Sequence, residues 1–194
     1  MKIQDIVDFI FELGQLKRVR SAGQIHLGVK NPDSINDHAL RAAQIGYFLA
    51  KLEKYHKPQE GVTIIVFHDI GECRVGDIDN IAKRYIKNKT EVETKAVKDQ
   101  LKFLEQSGKK IFSFWQQQEF KNTKAGIIAR DADLLEHAFS AKEYLELGFK
   151  PARVFFQNIK KMLQTKSAKQ ILLKLEKTHS KDWWSKLAKI KKEK

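Results

Sequence analysis

The dipeptide His68-Asp69 closes the apolar run Val62-Thr63-Ile64-Ile65-Val66-Phe67. Two adjacent side chains with metal-binding atoms have no structural use at the end of a segment that reads as buried. Leaving a neutral polar group unpaired in a core costs roughly 2–7 kcal/mol, and an unpaired charge costs more. A divalent cation would compensate both, and mixed nitrogen and oxygen ligation suits Mn, Fe, Co, Ni or Zn. Two further positions carry the same anomaly. His38 lies one turn before Ala42, which puts it on the apolar face of its helix, and Asp133 interrupts the mostly apolar stretch 125–135. Singly, each has an ordinary alternative: a hydrogen-bonded core histidine at 38 and a carboxylate paired with Arg130 at 133. Together they put imidazole or carboxylate on three apolar faces. Helix neighbours point about 100° apart, so His68 and Asp69 would have to straddle a cation, with His38 and Asp133 arriving from other helices. That set offers two imidazole nitrogens and two carboxylate oxygens, with positions left for water. The single cysteine, Cys73, is not needed.

Helices must position these groups. Long stretches rich in Lys, Glu, Leu, Ala and Ile, with only three prolines and ten glycines in 194 residues, predict an all-α fold. A first helix is expected over 3–17, with Ile3, Ile6, Ile10 and Leu13 along one face. Residues 18–33 have no periodicity and read as a long loop, which in a compact domain is commonly functional. Ser34 is expected to cap a second helix, with Asp37 favouring its positive end and Ala42, Ile45, Leu49 and Leu52 at helical spacing. Pro58 opens a third segment ending near Gly71 or Gly76; by length its apolar run could be a strand, but the neighbouring helices favour helix. Thr90-Glu91-Val92-Glu93 matches a capping box for a helix reaching about Gln106. A further helix is expected over Lys124–Leu147, stopped by Gly148 with Pro151 beyond. The remainder is helix-forming, with Trp183 and Trp184 in its last segment.

Length and an apolar content of 42% fit one globular domain over 1–194. No run of 18 apolar residues suggests a membrane span, acids at positions 5 and 8 interrupt any signal peptide, and one cysteine excludes an internal disulfide. The expected location is cytoplasmic. The net charge is +13, of which +9 comes from 160–194, with twelve lysines against three acids. A lysine-rich, arginine-free end reads as a solvated face; nucleic-acid contact is the less favoured alternative.

Ser34-Ile35-Asn36-Asp37-His38, His68-Asp69-Ile70-Gly71-Glu72, Gly76-Asp77 and Asp131-Ala132-Asp133-Leu134-Leu135-Glu136 resemble, in order and spacing, the motifs of the HD-domain metal-dependent phosphohydrolases. The 5'-deoxynucleotidase branch is the most similar, with Leu16-Lys17-Arg18-Val19 and the loop after it also matching. The likeness runs over about 10–150, with the lysine-rich 160–194 as a helical extension. It implies a single compact all-α HD-domain bundle in which His38, His68, Asp69 and Asp133 hold one divalent transition metal. It also implies that Glu72 and Asp77 act beside the metal and that Arg18 binds substrate phosphate. Glu72 lies one turn after His68 and could reach a metal-activated water or the leaving oxygen as acid or base; otherwise it is a surface carboxylate at a helix end. Asp77 could equally be a simple cap. The implied activity is release of phosphate from (deoxy)nucleoside 5'-monophosphates by a homodimer, to which Trp183 and Trp184 could contribute. Two alternatives are a nucleoside triphosphate or cyclic-nucleotide phosphodiesterase at the same site, and a non-catalytic nucleic-acid-associated or regulatory module with a structural metal. The sequence departs from relatives at Gln24, where many have tryptophan, which leaves the base or sugar contact without its aromatic. Asp37 replaces a more frequent glutamate. His26 and His137 match no ligand position and read as structural or surface, while His56 and His179 carry no signal.

Overall fold

The computed structural model describes residues 1–189, and for Lys186 its backbone only; residues 190–194 of the lysine-rich end lie outside the described residues. Among the described residues the chain is helical, with no strand and a single antiparallel bridge between Arg20 and Ser34. The helices are α1 Ile3–Leu13, α2 Ala22–His26, α3 Ile35–Leu52, α4 Pro58–Val66, α5 Glu72–Val75, α6 Lys89–Leu101, α7 Glu105–Phe120, α8 Lys124–Glu146, α9 Arg153–Met162, α10 Lys166–Glu176 and α11 Asp182–Leu187.

Helix α8 is the axis of the bundle, and α3, α4, α7, α9 and α10 pack around it. Its sequence suits that place, because buried residues face several directions at once: Ile128, Ala129, Ala132, Leu135 and Ala138 are fully enclosed. The alanines let neighbouring helices approach closely, and Gly126 does the same at the α7 crossing, where a Cβ would overlap the Gln117 carbonyl. Thr123 caps α8 by accepting from the Gly126 amide. A second cluster of Phe9, Ile70, Val97, Leu101, Leu104 and Trp115 joins α1, α6 and α7.

Ser34 caps α3 as expected, in a reciprocal box with Asp37: the Asp37 amide donates to Ser34 Oγ, and Asp37 Oδ2 accepts from the Ser34 amide at 3.0 Å. Ala42 and Leu49 are buried as expected, whereas Leu52 is exposed. Other expectations need correction. In α1 the buried residue is Phe9, with Ile6 and Leu13 beside it, while Ile3 and Ile10 face outward; residues 14–17 continue as 3-10 turn. The 18–33 segment is not structureless, since it contains α2 and is pinned by Ser21 N–H to the Asp33 carbonyl and Ile35 N–H to the Val19 carbonyl. The Thr90–Glu93 capping box does not form. Helix α6 starts at Lys89, Thr90 Oγ1 donates to Glu119, and Glu93 is engaged by Lys89 Nζ at 2.7 Å. A 3-10 turn at Lys102–Leu104 then splits the expected helix, and Glu105 takes a positive φ of 48° as α7 begins.

Within the lysine-rich region, α10 is woven into the bundle. Ala168, Leu172 and Leu175 of α10 belong to the main core. Asp131, fully buried on α8, accepts from the Gln164 amide, the Thr165 amide and Thr165 Oγ1, which ties the start of α10 to the axis. The described lysines there, apart from Lys186, are exposed. Among the described residues no helix is long and apolar enough to cross a membrane.

Candidate metal centre

Three elements converge on one point. Helix α3 supplies His38 one turn from its capped start, α8 supplies Asp133, and the turn after α4 supplies His68 and Asp69. The expectation that the dipeptide rides on a helix is corrected here: α4 ends at Val66, and 67–71 is a turn. The turn frees both side chains from helical spacing, and His68 Nε2 lies 2.9 Å from Asp69 Oδ2. His38 Nε2 stands 3.2 Å from Asp133 Oδ1 and 3.9 Å from Asp69 Oδ2, and His68 Nε2 lies 3.9 Å from Asp133 Oδ1.

Hydrogen bonding behind the rings decides which nitrogen faces this point. His68 Nδ1 is 2.6 Å from the Ile65 carbonyl, an acceptor only, so Nδ1 carries the proton. His38 Nδ1 is 2.5 Å from Glu136 Oε2. Both Nε2 atoms are therefore turned inward, and both are buried without a hydrogen-bond partner. Two imidazole lone pairs against two carboxylate oxygens repel one another unless a cation lies between them. The four residues fit a divalent metal on that ground. Without one, the carboxylates draw protons onto the rings: burial opposes charge on His38, but Asp133 and Glu136 outweigh it and hold its pKa well above the usual value.

The supporting residues form a chain. Glu136 Oε1 accepts from Arg41 Nε at 2.8 Å, and Arg41 continues to Glu143 at 3.0 Å and to Ser140 Oγ at 2.6 Å. Burial alone would raise the Glu136 pKa; the hydrogen bond from His38, with His38, His137 and Arg41 nearby, holds it down at about 2. Asp133 is oriented similarly. Its Oδ2 accepts from Arg130 Nη1 at 2.5 Å and from Gln118 Nε2 at 3.3 Å, which leaves Oδ1 for the centre. The Arg130 pairing that was an alternative to ligation thus coexists with the ligand geometry.

The centre opens into a cavity of about 400 Å³. Glu72 and Asp77 line it. Glu72 Oε2 is buried with no partner, and burial, reinforced by Asp69 and Asp77, pushes its pKa well above the usual carboxylate range. Asp77 follows Gly76, whose φ of 74° makes the sharp exit from α5. It does not cap the following helix. Its Oδ2 accepts from the Ala22 amide at 2.8 Å, which fastens the 18–33 segment to the cavity. Arg18 is not brought to the centre: its exposed guanidinium donates to the Gly14 carbonyl and is absent from the cavity wall. The lining cations are Lys83, Lys89 and Arg130. His137 also lies at the centre, stacked on His38 with centroids 4.4 Å apart and with Nε2 3.4 Å from Asp133 Oδ1. Its position one turn after Asp133 was the available signal. His26 pairs with Asp79 at the cavity edge.

The family model for the HD domain matches residues 13–175. The chain belongs to the HD-domain family. Among curated proteins, the 5'-deoxynucleotidase HDDC2 of Xenopus laevis is 32% identical to this HD domain over 158 residues, covering 78% of this chain and 75% of the relative. The human 5'-deoxynucleotidase HDDC2 is 31% identical over 155 residues, covering 78% and 74%. Among solved structures, a conserved hypothetical protein from Pyrococcus furiosus superposes with a TM-score of 0.77 at 29% identity, covering 89% of this HD domain and 99% of that chain.

Proposed function

We propose that this HD domain is a metal-dependent 5'-deoxynucleotidase, releasing inorganic phosphate from deoxynucleoside 5'-monophosphates. The observation that carries the reading is the pair of buried, partnerless imidazole Nε2 atoms facing Asp69 and Asp133, with His68, Asp69 and Asp133 lining a cavity that also holds Glu72 and Asp77. His38, His68, Asp69 and Asp133 are the residues that would hold one divalent transition metal. Such an ion supplies Lewis-acid polarisation of the phosphoryl oxygens and a water acidic enough to attack near neutral pH.

The chain's own residues do the rest. Water attacks phosphorus, the bond to the 5'-oxygen breaks, and that oxygen must gain a proton. Glu72 has a free buried Oε2 and a raised affinity for protons, which suits it to carry that proton. Asp77 holds the 18–33 segment over the cavity through Ala22 and keeps its second oxygen for substrate. Arg130, fixed by Asp133, and Lys83, which has no ion pair among the described residues, meet the phosphate charge; Arg18, implied for this role by family likeness, is exposed and does not line the cavity. A structural ion would need neither Glu72 nor Asp77 beside it.

The same reading takes residues 1–194 as one cytoplasmic domain that acts as a homodimer. Trp183 and Trp184 are 66% and 56% exposed in the single chain, so they do not cover its own core and are free to meet a second copy. The test is a nucleotide panel assayed with metal-depleted protein before and after adding Mn or Co. Orthophosphate from deoxynucleoside monophosphates, on metal addition only, supports the assignment; triphosphate or pyrophosphate from a nucleoside triphosphate, or a monophosphate from a cyclic nucleotide, selects the phosphodiesterase alternative.

A further inference from the structure

The cavity wall is chemically mixed. Carboxylates, imidazoles and cations line it together with one face of α9, through Val154, Phe155, Asn158, Ile159 and Met162. Helix α9 has two working faces. Phe156 and Ile159, with Leu163 just beyond, are buried toward α8. Positions 154, 158 and 162 recur every four residues, and with Phe155 they form a second face that gives onto the cavity. Val154 and Met162, which line it, are 55% and 45% exposed. Phe155 is steadied by the main core, and its ring abuts Gly23: a Cβ on Gly23 would meet Phe155 Cε1 and Cζ at 3.3 Å. The 18–33 segment and α9 thus meet at the cavity wall, where Gly23 and Phe155 both line it.

Metal, phosphate and deoxyribose give such a wall nothing to bind, since all three are polar. The flat, apolar-faced part of a nucleotide is its base, which binds well against aromatic rings. Nor can the 18–33 segment supply that contact at Gln24. Its amide is engaged by Asp33 at 2.7 Å and Tyr144 Oη at 2.9 Å. Asn158 is exposed and has no hydrogen-bond partner among the described residues, so its amide offers one donor group and one acceptor to a base edge.

We propose that the Val154–Phe155–Asn158–Met162 face of α9 is the nucleobase wall of the substrate site, with Phe155 and Met162 against the base and Asn158 on its edge. This rests on the nucleotidase reading and goes beyond it, because it makes the base a recognised part of the substrate.

The experiment compares kcat/KM on the four deoxynucleoside 5'-monophosphates with kcat/KM on 2-deoxyribose 5-phosphate, which keeps phosphate and sugar and lacks the base. Wild-type protein is expected to favour the nucleotides by about 10-fold, the order of magnitude of one base–aromatic stack. Phe155→Ala should bring that ratio toward one, through KM, and Phe155→Leu should give an intermediate ratio in a variant that keeps the packing. Asn158→Leu should change the ranking among the four bases. Equal turnover of deoxyribose 5-phosphate and nucleotides by wild-type protein overturns the proposal and leaves the phosphatase reading standing. Equal losses on both substrates in Phe155→Leu and Asn158→Leu also overturn it, since they mark a structural role. Turnover of neither substrate with metal present overturns the nucleotidase reading together with this one.

Discussion

Glu136 tests whether the metal centre depends on the chain of groups behind it. Its Oε2 lies 2.5 Å from His38 Nδ1 and its Oε1 accepts from Arg41 Nε at 2.8 Å, so both oxygens act as acceptors. Glu136→Gln keeps the volume but turns one oxygen into a donor. If the NH₂ faces Arg41, two donors oppose each other. If it faces His38, Nδ1 must become the acceptor, the ring proton moves to Nε2, and the ligand lone pair is lost. The carboxyl is held at about 2 against its ordinary 4.5, a shift worth about 3 kcal/mol for all its cationic neighbours together. Only part of that acts through His38. Loss of a carboxylate behind a ligating histidine typically weakens metal binding by about 10–100-fold, or about 1.4–2.7 kcal/mol. We expect that range for Glu136→Gln, measured by competition with a fluorescent chelator. Glu143→Gln, which touches Arg41 and not His38, should change affinity by less than about 3-fold. A folded Glu136→Gln protein binding metal within a factor of about 2 of wild type would mean that Glu136 does not support His38 as a ligand.

Three further outcomes follow from other features. Because the folded-state pKa of Glu136 lies below its ordinary 4.5, its contribution to stability is complete above that pH and is lost as pH falls toward 2. Metal-free protein should therefore lose stability to urea across that window, and Glu136→Gln should flatten the loss; an unchanged slope would contradict it. Asp131→Ala strips the α10 start of three hydrogen bonds and should cost about 2–4 kcal/mol in denaturant unfolding while metal affinity stays the same; a cost below about 1 kcal/mol would show that the tie is weak. Lys83→Met should raise KM for nucleotides by about 10-fold, as loss of a charge-assisted phosphate contact does, and Arg18→Ala should not; the reverse result would return the phosphate role to Arg18.

How much of this could be read beforehand depended on whether a signal was local. Ser34 with Asp37 three residues on announced the start of α3, because that cap is made within one turn. His38 and Asp133 were visible as polar interruptions of apolar faces. The support for them was not, since Arg41, Glu136 and Gln118 are joined to the centre across up to 98 positions of sequence. The Thr90–Glu93 box failed for a similar reason: Glu119 and Lys89 offer those side chains better partners than the helix start does. His68-Asp69 was a geometric puzzle only while it was assigned to a helix, and the end of α4 at Val66 resolves it. Residues 18–33 lacked any periodic pattern because their order comes from backbone ties to Asp33 and from Asp77, none of which leaves a sequence signature.

Under the proposed function, one metal centre held by His38, His68, Asp69 and Asp133 performs phosphate-ester hydrolysis. Bound metal per chain and orthophosphate release from a deoxynucleoside monophosphate, measured on the same preparations of wild-type protein and Asp69→Ala, test it most directly. Metal and turnover are expected together in wild type, and both should be lost in a variant that remains folded by circular dichroism. Undiminished phosphate release by Asp69→Ala would contradict it.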